Sequence, residues 1–164
     1  MSAEYTEIYD PTITSPNSYV GSALQQSISA LVNLNNDWYN GKAYQLYAFE
    51  YTPGPQGQST FFVGDEATYK ITADAIGPNG NVGRRVFPQE PMYVIANFGM
   101  SPSFSPINFT AIADLLPATM RIDHIRIYQD PDEQSVTCDP SGYETTRYIA
   151  RHRDVYNNPN LTIW

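Results

Sequence analysis

At 164 residues and 41% apolar content, the chain is long enough for one domain with its own core, and one domain is expected. A formal net charge of −8, with nine Lys and Arg scattered singly, offers no basic stripe to neutralise phosphates and argues against a nucleic-acid partner. Only 16% of residues are charged, whereas Tyr (13), Pro (13) and Gly (10) are abundant, a turn-rich β profile rather than that of a helical bundle.

The opening MSAEYTEIYD is acidic where a secretory leader would need a basic patch and an apolar run. Residues 1–22 are polar and punctuated by Pro11, Pro16 and Gly21, which predicts an irregular lead-in to a main body over 23–164. Within 23–34, Ile28, Ala30 and Val32 alternate as in a strand, while Leu24, Ile28 and Leu31 also fit helical spacing; the strand is preferred. The loop 35–42 (NNDWYNGK) turns at Asn40-Gly41 and carries Trp38 and Tyr39 at its tip. Residues 44–51 (YQLYAFEY) read as a strand that Pro53-Gly54-Pro55 ends, with Gln45, Tyr47, Phe49 and Tyr51 on one face. Strands over 60–63 and 68–72 flank Gly64-Asp65, the chemistry of a tight hairpin turn, and complete a meander.

Gly77-Pro78-Asn79-Gly80 marks a loop, after which Pro88 and Pro91 bracket the entry to 92–98. That segment is apolar on both faces, so a central strand covered on both sides is expected. In 120–128, Met120 and Ile122 sit on one parity and Ile125 and Ile127 on the other, and a bulge near Asp123-His124 would restore one buried face. Tyr148, Ile149 and His152 predict one short helix within 145–153. The longest near-continuous apolar run, 92–100, is about half of the roughly 20 residues that cross a bilayer.

Few residues carry obvious chemistry. Neither a glycine-rich phosphate loop nor HExxH occurs, and Cys138, the single cysteine, can build no thiolate cluster and no internal disulfide. It reads as a free thiol, or as one whose partner belongs to a longer protein. His124 falls in the expected bulged strand and His152 on the short helix, and neither has a serine partner in a nucleophile context. Asp130, Asp132 and Glu133 surround Pro131 and read as a solvated turn. The triplets Asn108-Phe109-Thr110 and Asn160-Leu161-Thr162 are N-glycosylation sequons and fit a luminal or extracellular setting.

The ordered blocks YQLYAFEYTPG, FFVGDEATYKI, GPNGNVG, PMYVIANFGMS, LLPATMRIDHIRIYQ and the closing CDPSGYETTRYIARHRDVYNNPNLTIW resemble the C-terminal part of the fungal Kre6/Skn1 family of β-glucan synthesis proteins, over about residues 17–164. That family is similar to glycoside hydrolase family 16, the laminarinase-like enzymes. The resemblance implies an all-β fold, an antiparallel jelly-roll β-sandwich left incomplete in this chain, with one short C-terminal helix. It further implies a glucan cleft, a membrane protein of the secretory pathway facing the lumen or exterior, and a part in making cell-wall β-1,6-glucan.

Catalysis in the related hydrolases uses a Glu-x-Asp-x-x-Glu strand whose carboxylates lie about 5 Å apart, as a retaining mechanism requires. No such run exists in this sequence, so no catalytic residue is assigned. The resemblance puts that strand, and any membrane span, upstream of position 1. Residues expected at the sugar are Asn97, which matches an Asn of the hydrolases, with Trp38, Tyr39 and Phe104 as stacking groups. Phe104, Phe109 and Tyr69 stand where relatives commonly have Trp, which keeps ring surface but loses the indole donor. Asp123 matches an acidic residue that holds a structural calcium in some of those enzymes. Most of the oxygen shell for that ion is missing, so no cofactor is expected, with Asp123 the one candidate ligand. Three readings stay open: part of a glucosidase or transglycosylase, a non-catalytic β-glucan-binding module, and an inactive fragment.

Overall fold

The structure, a computed structural model, describes residues 3–35, 42–103 and 106–163. The chain divides into two compact units, Met1–Gln89 and Glu90–Trp164.

The first unit is antiparallel β. Strands β1 (Thr6–Ile8), β2 (Thr14–Pro16), β3 (Ala30–Val32), β4 (Tyr47–Thr52), β5 (Gln58–Val63) and β6 (Glu66–Thr72) form a four-stranded sheet in the order β1-β6-β5-β4 and a two-stranded sheet of β2 and β3. Consecutive strands β4, β5 and β6 make the expected meander, held by two different turns. Between β5 and β6, Val63 pairs with Glu66, so Gly64-Asp65 is a two-residue loop. Gly64 has φ +68°, the positive first dihedral that turns of the primed types require. Between β4 and β5, Gly57 is sterically obligatory, because a Cβ there would collide with the Thr52 carbonyl oxygen.

A bulge lies where none was expected. Phe61 pairs with Tyr69 but Phe62 with Ala67, which leaves Thr68 as the extra residue of β6. Its buried hydroxyl donates to the Phe61 carbonyl at 3.1 Å, and its carbonyl accepts from Tyr9 N–H at 3.3 Å. The bulge thereby ties the chain beyond β1 to the sheet. The apolar core is small: Tyr69, Ala73, Ala75 and Phe87 are the buried hydrophobic residues among those described. Phe87 joins it by exchanging backbone hydrogen bonds with Gly54, 3.1 Å from Gly54 N–H to Phe87 O and 3.3 Å in return.

Residues 1–22 depart from the irregular lead-in that their polarity predicts. Thr6, Glu7 and Ile8 pair with Ile71, Lys70 and Tyr69, and β2 pairs with β3 from Thr14↔Val32 to Pro16↔Ala30. Polar strands of three residues carry too little pattern to be read locally, and a sheet edge recruits them through backbone groups.

In the second unit the short helices α1 (Phe109–Ile112), α2 (Thr146–Arg151) and α3 (Arg153–Tyr156) are the α-helical elements. Asn108 caps α1 by accepting from Ala111 N–H at 3.0 Å, and the Asp139 carboxylate caps α2 by accepting from Thr145 and Thr146 N–H at 2.7 and 2.9 Å. The expected C-terminal helix is therefore present, interrupted at His152. The expected strands at 92–98 and 120–128 are not: both segments are irregular, and Met92, Tyr93, Val94, Ile95, Ile122, Ile125 and Ile127 are exposed. No ladder exists there for a bulge at Asp123-His124 to interrupt. Apolar composition encodes a demand for burial, but a strand also needs neighbours for its N–H and C=O groups. Neither segment has such neighbours among the described residues.

All regular extended structure among the described residues is antiparallel, consistent with the all-β, jelly-roll-like class, with no closed barrel.

Candidate functional site

Strand alternation sorts the four-stranded sheet into two unlike faces. Directly opposed residues place Glu7, Lys70, Thr60 and Glu50 in one row across β1, β6, β5 and β4. The adjoining row, which projects from the other face, is Ile8, Tyr69, Phe61 and Phe49. One face is thus hydrophilic and the other aromatic.

The rings of the second row touch in sequence. Phe61 lies 6.4 Å from Tyr69 with 25° between planes, and 6.4 Å from Phe49 with 38° between planes. Tyr51, two residues along β4, is 6.1 Å from Phe49. These separations fall in the range of favourable aromatic pairs. Exposure rises along the row, from 6% at Tyr69 through 38% at Phe61 to 64% at Phe49, with Tyr51 at 43%. Burial pushes the Tyr69 hydroxyl above its ordinary value, partly offset by its hydrogen bond with Thr6. The inner end of the row belongs to the core, and the outer end is exposed to solvent. Glu50 projects from the opposite face, and Ser59 and Val63 complete the β5 side, so the open end carries no charge on β4 or β5.

Beside the hydrophilic face, a shallow depression of about 370 Å³ is lined by Glu4, Glu7, Lys70 and Asp74 among others. Glu4 raises the Tyr5 hydroxyl there, through a side-chain hydrogen bond first and its charge second.

Of the sugar-contact residues expected from the sequence, Trp38, Tyr39 and Phe104 lie outside the described residues. Asn97 is exposed in the irregular segment of the second unit. Asp123 is also exposed, and its carboxylate lies 2.9 Å from His124 Nδ1. Among the described residues no group of three or more His, Cys, Asp or Glu could hold a metal ion. Both sequon asparagines are exposed; Asn108 caps α1, and the backbone N–H of Asn160 donates to Asn158 Oδ1 at 3.0 Å. The parity of β4 already aligned Tyr47, Phe49 and Tyr51, but their alignment with Phe61 and Tyr69 depends on a five-residue hairpin loop and a bulge. No local signal in the sequence announces either register.

The family model of the beta-glucan synthesis-associated proteins SKN1/KRE6/Sbg1 matches residues 1–164. Beta-glucan synthesis-associated protein KRE6 of Saccharomyces cerevisiae is 42% identical over 166 residues, which cover 98% of this chain and 23% of that protein. The SKN1 and KRE6 proteins of Candida albicans are 40% and 39% identical, covering 97% and 96% of this chain and 22% of each. The chain thus spans less than a quarter of the length of these relatives. No solved structure matches it. With the whole chain covered by one family model, and the same segment at about two identical residues in five in three separate relatives, the chain belongs to the SKN1/KRE6/Sbg1 family of beta-glucan synthesis-associated proteins.

Proposed function

We propose that this chain acts in fungal cell-wall β-glucan biosynthesis and wall organisation, as a segment of a glucosidase- or transglycosylase-like protein. The observation that carries this reading is the family match over residues 1–164, together with relatives that bear beta-glucan synthesis in their names. No Glu-x-Asp-x-x-Glu run occurs within these residues, so the segment contributes glucan contact and shape rather than the reacting carboxylates. The product is β-1,6-glucan, and the fold is that of glycoside hydrolase family 16. The site of action is the luminal or outer side of a secretory-pathway membrane, where Asn108 and Asn160 are glycosylated. No helix among the described residues is long and apolar enough to cross a bilayer, so membrane attachment lies with sequence outside this segment.

The test is a chimera in which this chain replaces the matching segment of the Saccharomyces cerevisiae KRE6 protein in cells lacking the native copy. Wall glucan is then measured after digestion with linkage-specific glucanases. The expected result is β-1,6-glucan restored towards the level given by the native protein. Glucan no higher than with the segment deleted would refute the reading.

A further inference from the structure

We propose that Arg84-Arg85 is a processing site for an endoprotease specific for paired basic residues, kept shut by the fold and cut only when this segment opens. The proposal goes beyond the β-glucan reading and takes from it only the secretory-pathway setting.

Position is the first reason. Arg84 and Arg85 are the one exception to the single spacing of the nine Lys and Arg, and they stand just before the division between Gln89 and Glu90. A cut after Arg85 leaves strands β1 to β6 on one product and the whole second unit on the other. Residues 83–86 are irregular backbone, Arg84 and Val86 are exposed, and a Cβ on Gly83 would meet nothing within 4 Å. Exposed irregular backbone is where proteases nick folded chains.

Two features hold the pair out of a protease cleft. Asn79 and Val82 exchange backbone hydrogen bonds of 3.0 Å, and Phe87 exchanges two with Gly54, so only 83–86 lies between anchored positions. Four residues span at most about 14 Å, whereas a protease pairs with extended backbone on both sides of the bond it cuts. The second feature is Arg85 itself, which is half-buried. Its Nε donates to the Ile76 carbonyl at 3.1 Å, and its Nη2 donates to the Gly77 carbonyl and to Gln26 Oε1 at 3.4 Å each. Gln26 Nε2 in turn donates to the Asn79 carbonyl at 3.3 Å. A guanidinium so engaged is withheld from the acidic subsite that reads the residue before the cut. Arg84 faces the exposed Asp74 carboxylate at 3.6 Å, a surface pair that holds it weakly.

Cleavage therefore waits for Phe87 to leave its buried position and for Arg85 to release its carbonyls, and its rate follows the population of that opened form. The protease serine then attacks the Arg85 carbonyl carbon, the Val86 amine leaves with a proton, and water releases Arg85 as a carboxylate. The cut puts Phe87 and its partner Gly54 on different products, so reclosure loses its covalent tether.

The experiment incubates the full 164-residue chain with a purified kexin-type serine endoprotease and locates the cut by intact-mass spectrometry. A synthetic peptide of residues 79–90 is the unprotected standard. The expected result is a cut between Arg85 and Val86 that is about tenfold or more slower in the chain than in the peptide and accelerates as urea rises below the unfolding midpoint. Arg84→Ser, at an exposed position, abolishes it, and Gln26→Ala, which removes one partner of Arg85, speeds it about threefold. Circular dichroism checks that both variants fold. Cutting of the chain as fast as the peptide, no cut at this bond below the urea midpoint, a cut that survives Arg84→Ser, or an unchanged rate in Gln26→Ala would each overturn the proposal. The assay uses the isolated chain, so these outcomes stand apart from the result of the chimera.

Discussion

Phe87 tests most directly what holds the first unit together. Its side chain is one of four buried apolar groups among the described residues and is 8% exposed, while its backbone pairs with Gly54 in both directions. Phe87→Ala therefore removes the ring and keeps the bridge. Burying nine-tenths of a ring of about 200 Å² at about 25 cal/mol per Å² is worth roughly 4.5 kcal/mol. Allowing for residual burial in the unfolded chain lowers this to about 3–4 kcal/mol, within the usual range for Phe→Ala in a core. A unit of this size has a total stability of about 4–13 kcal/mol, and a core this small places it near the bottom of that range. The expected outcome is loss of most of its stability, read as a urea midpoint shifted to near zero by circular dichroism. Phe49→Ala, at a position 64% exposed, is expected to cost about 1.5 kcal/mol by the same arithmetic. If the two variants melted alike, or Phe87→Ala cost under 1 kcal/mol, the assignment of the core around Phe87 would be wrong.

Thr14 is 2% exposed and its hydroxyl has no hydrogen-bond partner among the described residues, so Thr14→Val is expected to be neutral or to stabilise by about 1 kcal/mol. A clear loss in a thermal melt would mean that the hydroxyl is satisfied after all. At α2, the backbone hydrogen bond from Thr146 is the largest influence holding the Asp139 carboxyl below its ordinary value; desolvation opposes it, and the Thr145 backbone and Thr146 side-chain hydrogen bonds add to the lowering. The cap is therefore fully present above the ordinary carboxylate range and is lost as pH falls through the lower folded value. Protection of the Thr145 and Thr146 amides, relative to an unstructured peptide at the same pH, is expected to fall only below that range, and in Asp139→Ala to be absent at every pH. Unchanged exchange in that variant would refute the cap.

How far the fold was legible depends on how local its determinants are. Gly64-Asp65 and Pro53-Gly54-Pro55 announce chain reversals by their own backbone preferences, and β4, β5 and β6 lie where those signals put them. The short helix after Tyr143 was legible from its spacing, and its interruption at His152 was not. Thr6–Ile8 is a strand only because β6 offers it an edge. Residues 92–98 have the composition of a central strand but no neighbours among the described residues to make them one. The site divides in the same way. Tyr47, Phe49 and Tyr51 share a face by parity alone, Trp38 and Tyr39 stood out as aromatics at a loop tip, and Asn97 and Phe104 came from family resemblance.

Composition and alternation within the sequence alone determined the β class, the meander and the two sides of β4, while the tie to a glucan-related family came from the likeness of whole sequence blocks. Only the tertiary structure decided that Phe49, Phe61 and Tyr69 stand side by side, that Thr68 is the extra residue, and that the row runs from buried to open. Turns and side-chain parity follow from the preferences of neighbouring residues, but register follows from hydrogen bonds between segments far apart in the chain. A slip of one residue would send these rings to the opposite face without changing any local signal.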